Sequence, residues 1–210
     1  MRMGSVNCYL LRTDAGYFLV DTGTSSARKQ LLAGLANAGC IPGSLRLVLL
    51  THGDFDHTGN AAFLRISFGT KLGMHRADSG MGETGDMFDN RKKPNALIRS
   101  LIPFFTGFGK DEFFSPDLLL DDGYDLRPHG LDAKVLSLPG HSTGSVGILT
   151  SEGDLFCGDL FENRKRPALN SLMDDPESAK VSLAVLDSYK IRFIYPGHGE
   201  PFAMEQLAEG

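Results

Sequence analysis

The ten-residue segment 51–60, Thr-His-Gly-Asp-Phe-Asp-His-Thr-Gly-Asn, places four side chains that can bind metals within six positions. These are His52, Asp54, Asp56 and His57. The segment follows the apolar run 45–50, which is typical of a strand buried on both faces, and precedes a predicted helix over 58–68. Acids and imidazoles crowded at the end of a buried strand are costly to bury unless cations compensate them. The segment therefore favours a metal site, and the alternative is a solvated acidic loop whose aspartates cap the helix.

Three further side chains of the same kind occur later in the chain, each next to glycine and each after a predicted strand. They are His141 in Pro-Gly-His-Ser, Asp159 in Cys-Gly-Asp and His198 in Pro-Gly-His-Gly. Glycine allows the backbone to approach an ion or a substrate closely. One histidine after a strand is usually a turn residue, but four of the six histidines lie in segments that follow predicted strands, all of them near Gly or Asp. His75 and His129 fit the pattern less well, and we expect a helix start and an exposed turn there.

The pattern of apolar runs predicts an α/β chain. Strands are predicted at 5–12, 17–21, 45–50, 70–75, 125–128, 133–138, 146–150, 154–157 and 192–195, and helices at 26–38, 58–68 and 176 to about 190. Strands come first in each half and a strand–helix unit follows. This order fits a sandwich of two mixed β-sheets with helices on the outer faces, folded as one domain over residues 1–210.

The middle of the chain, about 77–116, is predicted to be a helical insertion with a helix over about 95–105. Five of the fourteen phenylalanines crowd into it: Phe104, Phe105, Phe108, Phe113 and Phe114. They either form an apolar wall over a substrate or pack the insertion or a homodimer contact. The basic runs 91–93 and 164–166 attract an anionic substrate or, as is usual for such runs, lie on a solvated face.

Composition limits the location and partners of the chain. The net charge of −5 argues against a nucleic-acid partner. The sequence shows neither an apolar run long enough to span a membrane nor a secretory signal, so no membrane association is expected. Cys8, Cys40 and Cys157 are too far apart for a zinc motif and odd in number, which is typical of free thiols in the cytoplasm.

The segments that carry these side chains resemble, in order, the five motifs of the metallo-β-lactamase superfamily. Asp21, in Val-Asp-Thr-Gly, resembles the first motif, whose aspartate is structural in the family. The resemblance implies the four-layer αββα fold and two divalent metal ions, zinc first, with iron or manganese as alternatives. It also implies the ligands. Metal 1 would be held by His52, Asp54 and His141, metal 2 by Asp56, His57 and His198, and Asp159 would bridge the two ions.

Asp54 departs from the family pattern His-x-His-x-Asp-His, because it stands where the second histidine is usual. Three aspartates and four neutral histidines carry a charge of −3, whereas the usual set carries −2. The additional charge should make the ions weaker Lewis acids, and the additional oxygen ligand favours harder ions than zinc. Alternatively, Asp54 reaches an arginine and leaves one metal position poorly filled.

The resemblance implies a metal-dependent hydrolase, similar to the glyoxalase II group, that uses a metal-bridged hydroxide on a small ester, thioester, lactone or phosphoester. Asp56 would also be catalytic, as the group that orients the nucleophile or accepts its proton. One alternative is an iron oxygenase similar to persulfide dioxygenases, with a single ion on His52, His141 and Asp159. Another is a metal-binding module without turnover.

Overall fold

A computed structural model of the chain describes residues 1–91 and 109–207. The expected helix over 95–105 and three of the clustered phenylalanines (Phe104, Phe105 and Phe108) lie outside the described residues. The first half contains β1 (Arg2–Met3), β2 (Val6–Asn7), β3 (Tyr9–Thr13), β4 (Gly16–Val20), α1 (Arg28–Asn37), β5 (Leu45–Leu49), α2 (Phe55–Thr58), α3 (Ala61–Phe68), β6 (Lys71–Met74), α4 (Ser79–Thr84) and β7 (Leu118–Leu119). The second half contains β8 (Ala133–Ser137), β9 (Val146–Thr150), β10 (Asp154–Asn163), β11 (Ala168–Leu169), α5 (Pro176–Leu186), β12 (Phe193–Gly199) and β13 (Phe202–Ala203).

Two mixed sheets form the centre of the fold. The first has the order β3-β4-β5-β6-β7, in which only the β3–β4 hairpin is antiparallel. The second has the order β13-β12-β10-β9-β8, with β11 on β10, and its only parallel pair is β10–β12. β1 and β2 form a separate two-stranded ribbon. The prediction of two mixed sheets is confirmed.

Strand residues alternate between two apolar layers, as the two-residue period of a β-strand requires. In β4, Phe18 and Val20 pack between the sheets, whereas Leu19 packs with Leu31 and Leu35 of α1 on the outer face. The second sheet repeats this division, with Ile148 between the sheets and residues of α5 on its outer face. Three buried clusters thus separate four layers, and the predicted αββα sandwich is confirmed.

Several element boundaries differ from those predicted. The helix start at Asp175 is confirmed, because its carboxylate accepts hydrogen bonds from the amides of Glu177 and Ser178, but α5 ends at Leu186 rather than near 190. The predicted strand over 125–128 is wrong. Only an isolated bridge forms there, and the chain then makes a 3₁₀ turn that ends at Gly130 in the left-handed region. Among the described residues, no helix has the length and apolar character needed to cross a membrane.

We expect the layer between the sheets to contribute strongly to stability. Ile148→Ala removes a fully buried side chain from it and should lower the free energy of unfolding by about 2–5 kcal/mol, because the cavity is only partly refilled. Ile66→Ala is the matched control. Ile66 is 84% exposed, so its loss should change stability by no more than about 0.5 kcal/mol in the same urea titration. Equal effects of the two variants would contradict this assignment of the core.

Candidate metal centre

The structure brings the seven candidate ligands together from four separate stretches of chain. His52 and Asp54 lie in the loop between β5 and α2, Asp56 and His57 in α2, His141 in the β8–β9 loop, Asp159 in β10 and His198 in β12. The last two were expected to follow strands, but they lie within them. β10 shifts register against β12 on both sides of Gly158, and both strands continue to the site. β10 and β12 therefore present these two side chains from paired strands rather than from loops.

Side chains of the first predicted set converge on one point. His141 Nε2 lies 3.0 Å from Asp54 Oδ2, and His52 Nε2 lies 3.6 Å from the same oxygen. The three candidate ligand atoms all lie within 4.8 Å of one another, which is a spacing that a single ion can span. The geometry therefore suits the proposed ligands of metal 1.

The second predicted set converges next to the first. Candidate ligand atoms of Asp56, His57 and His198 also lie within 4.8 Å of one another. Asp159 lies between the sets, since its Oδ1 is 3.3 Å from His57 Nε2 and its Oδ2 is 3.2 Å from His198 Nε2 and 3.9 Å from His141 Nε2. This is the position that a bridging ligand needs.

All four histidines are held through Nδ1. His141 and His198 contact the backbone carbonyl oxygens of Leu172 and Ser5, at 2.6 and 2.7 Å. His57 contacts a carboxylate oxygen of Asp21 at 2.8 Å. Because carbonyl and carboxylate oxygens only accept hydrogen bonds, Nδ1 carries the proton in these three rings.

His52 follows the same rule through a hydroxyl group. Thr51 donates its hydroxyl proton to Asp21 Oδ2 at 2.8 Å, so its oxygen can accept a hydrogen bond from His52 Nδ1 at 3.0 Å. Each of the four rings thus donates outward through Nδ1 and directs Nε2 inward. Metal-binding histidines are oriented in this way, because a hydrogen bond on one nitrogen fixes the tautomer and aims the other at the ion.

Buried polar atoms in the centre lack hydrogen-bond partners. Among the described residues, His52 Nε2, His57 Nε2 and Asp159 Oδ1 make no hydrogen bond, although the last two lie 3.3 Å apart. Such atoms are destabilising unless another group satisfies them. Cations coordinated by these atoms would supply the missing interactions, so the residues present fit the expected metal ions.

Electrostatic coupling in the centre opposes the effect of burial. Burial lowers the pKa of His57, but the carboxylates of Asp159, Asp21 and Asp56 raise it well above its usual value. Burial raises the pKa of Asp159, but His57 and His198 hold it well below its usual range. Negative charge is thus retained in a buried place, where it attracts either protons or metal cations.

Asp54 also contacts Arg91. Contact with an arginine was one of the two roles expected for Asp54. Arg91 Nη1 lies 2.5 Å from Asp54 Oδ1, and the arginine side chain is only 6% exposed. The expectation that the basic run 91–93 lies on a solvated face is therefore wrong for Arg91. Lys92 and Lys93 lie outside the described residues.

Comparison with known proteins identifies the family. The model of the metallo-beta-lactamase superfamily matches residues 1–198. The chain belongs to the metallo-β-lactamase superfamily. Its similarity to TTHA1623, whose crystal structure is of a di-iron-bound form, covers 97% of this chain and 92% of that chain, with a TM-score of 0.71 and 29% identity.

Two proteins with sequences similar to this chain have names that describe thioester chemistry. Hydroxyacylglutathione hydrolase GloC of Haemophilus influenzae is 30% identical over 120 residues, which cover 56% of this chain and 50% of the relative. Atrochrysone carboxyl ACP thioesterase of Aspergillus fumigatus is 28% identical over 205 residues, which cover 95% of this chain and 52% of the relative. The chain thus spans about half the length of these curated relatives.

The structural role expected of the first-motif aspartate fits the contacts of Asp21. Its carboxylate accepts hydrogen bonds from the amide and hydroxyl groups of Thr51 and from His57, so it fixes the strand end that precedes the candidate ligands. Asp21 adopts a left-handed backbone conformation with φ of 57°, which aspartate tolerates better than most residues. His75 also behaves as expected, because its ring accepts a hydrogen bond from the amide of Ala77 at the start of a 3₁₀ turn.

Asp78 is a residue of the site whose importance the sequence analysis missed. Its fully buried carboxylate accepts hydrogen bonds from the amide of Gly53 (3.0 Å), the hydroxyl of Ser142 (2.7 Å) and the amide of Gly144 (2.8 Å). Asn90 donates a fourth, at 2.9 Å. Asp78 therefore joins the loop of His52 to the loop of His141. Its position three residues after a histidine gave no signal of this role.

We expect Asp78→Asn to loosen the centre. The amide keeps the shape of the carboxylate, but its NH₂ group would face buried hydrogen-bond donors that then lack an acceptor. The free energy of unfolding should therefore fall by about 2–3 kcal/mol. Zinc retained after dialysis should fall as well. Asp14→Asn, at an exposed turn, is the control and should change neither quantity. Wild-type stability and zinc content in Asp78→Asn would show that the two loops hold their positions without this carboxylate.

Proposed function

We propose that this chain is a metal-dependent hydrolase of thioesters. The observation that carries the proposal is the inward direction of four Nε2 atoms, each ring anchored through Nδ1, around the buried carboxylates of Asp54 and Asp159 and the partly exposed one of Asp56. Such a centre suits the hydrolysis of an acyl bond. The printed names of GloC and of the ACP thioesterase support a thioester over the other candidate substrates.

When bound, the metal ions would lower the pKa of a water molecule and polarise the substrate carbonyl. The protein would orient these groups. His52, Asp54 and His141 would hold one ion, Asp56, His57 and His198 the other, and Asp159 would contact both. Iron and zinc both suit this ligand set, and the di-iron form of TTHA1623 supports iron.

Asp56 is the candidate ligand that is most accessible to a substrate. Its side chain is 24% exposed, whereas those of the other six are at most 10% exposed. Its Oδ2 lies 3.7 Å from His198 Nε2 and 4.0 Å from His57 Nε2, at the edge of the centre. A carboxylate in this position can both contact an ion and accept a proton from the attacking water.

Metal removal tests the proposed function. Protein treated with EDTA should lose hydrolysis of acyl-glutathione and acyl-coenzyme A, followed through the released thiol, and added zinc or iron(II) should restore it. His57→Ala and His198→Ala should lower kcat/KM by at least about 100-fold, because each removes a proposed ligand. Ile66→Ala, an exposed position that is not a candidate ligand, is the control and should keep wild-type rates.

Each alternative function predicts a different result in the same experiments. Bound metal without turnover of thioesters, esters, lactones or phosphodiesters would support a binding module. One iron per chain with oxygen consumption on a persulfide would support the oxygenase. In the structure, however, the ligand atoms of His52 and His141 lie within 4.8 Å of that of Asp54, whereas Asp159 lies within this distance of His52 and His57. This arrangement favours the two-metal hydrolase.

The basic run 164–166 provides a candidate binding place for the anionic carrier of a thioester. Arg164, Lys165 and Arg166 are exposed and line a surface cavity of about 370 Å³ on the β10–β11 connection. This connection begins in the strand of Asp159 and returns to it, since Asn170 donates to Asp159 Oδ2 at 3.4 Å. A phosphate or carboxylate bound by the run would therefore lie near the metal centre.

Replacing all three basic residues of the run by serine should raise KM for acyl-coenzyme A about tenfold at low salt and leave kcat unchanged, since binding would weaken but not chemistry. High salt should reduce the difference. A control that replaces the exposed Arg12, Lys29 and Lys71 by serine makes the same charge change elsewhere. An equal rise in KM in both variants would assign the effect to net charge alone.

A further inference from the structure

Asp54 presents its two carboxylate oxygens to different partners. Oδ2 lies within 3.6 Å of the Nε2 atoms of both His52 and His141, so it faces the proposed metal 1. Oδ1 contacts the guanidinium of Arg91. One oxygen is therefore available to an ion while the other stays paired with the arginine. The two roles considered for Asp54, ligand and arginine partner, are compatible.

Arg91 is held in place by more than Asp54. Its Nη2 donates to the backbone carbonyl of His141 at 3.3 Å, and its Nε lies 2.5 Å from Asp174 Oδ2. The side chain of Asp174 is 45% exposed, so water screens this contact, whereas Asp54 and Arg91 are both buried. The guanidinium is thus fixed beside the metal 1 ligands and cannot move freely into solvent.

The charge of Arg91 offsets the unusual aspartate. Four neutral histidines with Asp54, Asp56 and Asp159 carry −3, and Arg91 brings the total to −2. This is the charge of the five-histidine, two-aspartate set that the usual motif would supply. A buried arginine in contact with a buried carboxylate gives the site the same net charge as a neutral ligand at that position would.

We propose that Arg91 is a positioning residue that compensates Asp54 and sets the cation affinity of metal site 1. Asp54 and Arg91 act together as the equivalent of a neutral ligand, with one carboxylate oxygen reserved for the ion. The proposal rests on the metal site of the proposed function but not on its substrate or its turnover. It also revises the expectation that the centre carries one additional negative charge.

Four proteins form a charge series that tests this proposal. Counting Arg91 with the seven ligands, the wild type and Asp54→His/Arg91→Gln both carry −2, Arg91→Gln carries −3 and Asp54→His carries −1. Zinc affinity, measured by competition with a chromophoric chelator, should follow this order. We expect binding about tenfold tighter or more in Arg91→Gln, about tenfold weaker or more in Asp54→His, and near the wild-type value in the double variant.

Two further measurements separate charge compensation from a structural role. In EDTA, Arg91→Gln should unfold at a lower temperature than the wild type, because Asp54 Oδ1 loses its cationic partner in a buried place, and zinc should raise its Tm more than that of the wild type. Arg91→Lys keeps the charge and should bind zinc like the wild type. Arg65→Gln, which breaks a surface pair with Asp117, is the matched control with unchanged affinity.

Weaker zinc binding in Arg91→Gln, or additive losses in the double variant, would overturn the proposal and leave Arg91 as a packing residue. A wild-type protein that binds no zinc, iron(II) or manganese would overturn the proposed function as well. A protein that binds zinc in the expected order but hydrolyses no thioester would retain the proposal and refute the proposed function alone.

Discussion

The structure depends on the burial of two carboxylates and four imidazoles around a common centre, with the carboxylate of Asp56 at its edge. Groups of this kind normally remain in water, because the cost of desolvating a charge is large unless another charge compensates it. The protein meets part of this requirement with its own groups. Asp21, Thr51, Ser5 and Leu172 take the outer nitrogens of the histidines. Among the described residues, His52 Nε2, His57 Nε2 and Asp159 Oδ1 stay unsatisfied on the inner side, and these atoms make the centre suited to cations.

The layers of the fold place the candidate ligands around one centre. Alternating side chains of β4 and β5 divide between the inner and outer apolar clusters, so both sheets are covered on both faces. Apolar side chains fill these layers, and the candidate ligands lie in the segment after β5, in the β8–β9 loop or, for Asp159 and His198, within β10 and β12. Asp78 then joins two of the loops that carry candidate ligands. Packing energy of the sandwich thereby supports the position of groups that would otherwise repel one another.

Much of this arrangement could be predicted from the sequence, because it is recorded in local patterns. The apolar run that ends at Leu50 predicted a buried strand, and the polar residues after it predicted a site at its end. Strand length was harder to predict. β10 and β12 continue through Gly158 and Gly197, which interrupt an apolar pattern but lie in strands that stay paired across two register shifts. The strand predicted at 125–128 failed because the turn at Gly130 overrides the preference of its neighbours.

Contacts between distant segments could not be predicted in the same way. Arg91 and Asp54 are 37 positions apart, and nothing in a run of basic residues indicates that its first member is buried. The same is true of Asp78, whose four donors come from three different segments. Such interactions depend on where the fold places each loop, and a single sequence carries no record of that placement.

The bulged pairing of β10 with β12 gives the centre two sides that are built differently. Asp159 and His198 belong to neighbouring hydrogen-bonded strands, and only glycine fits at position 197, because a Cβ there would come within 2.3 Å of Asp159 Oδ1. A slip of one residue would turn either side chain to the opposite face of the sheet. His52, Asp54 and His141 instead stand on loops tied by side chains. One side of the centre is thus set by strand pairing, and the other by side-chain hydrogen bonds between loops.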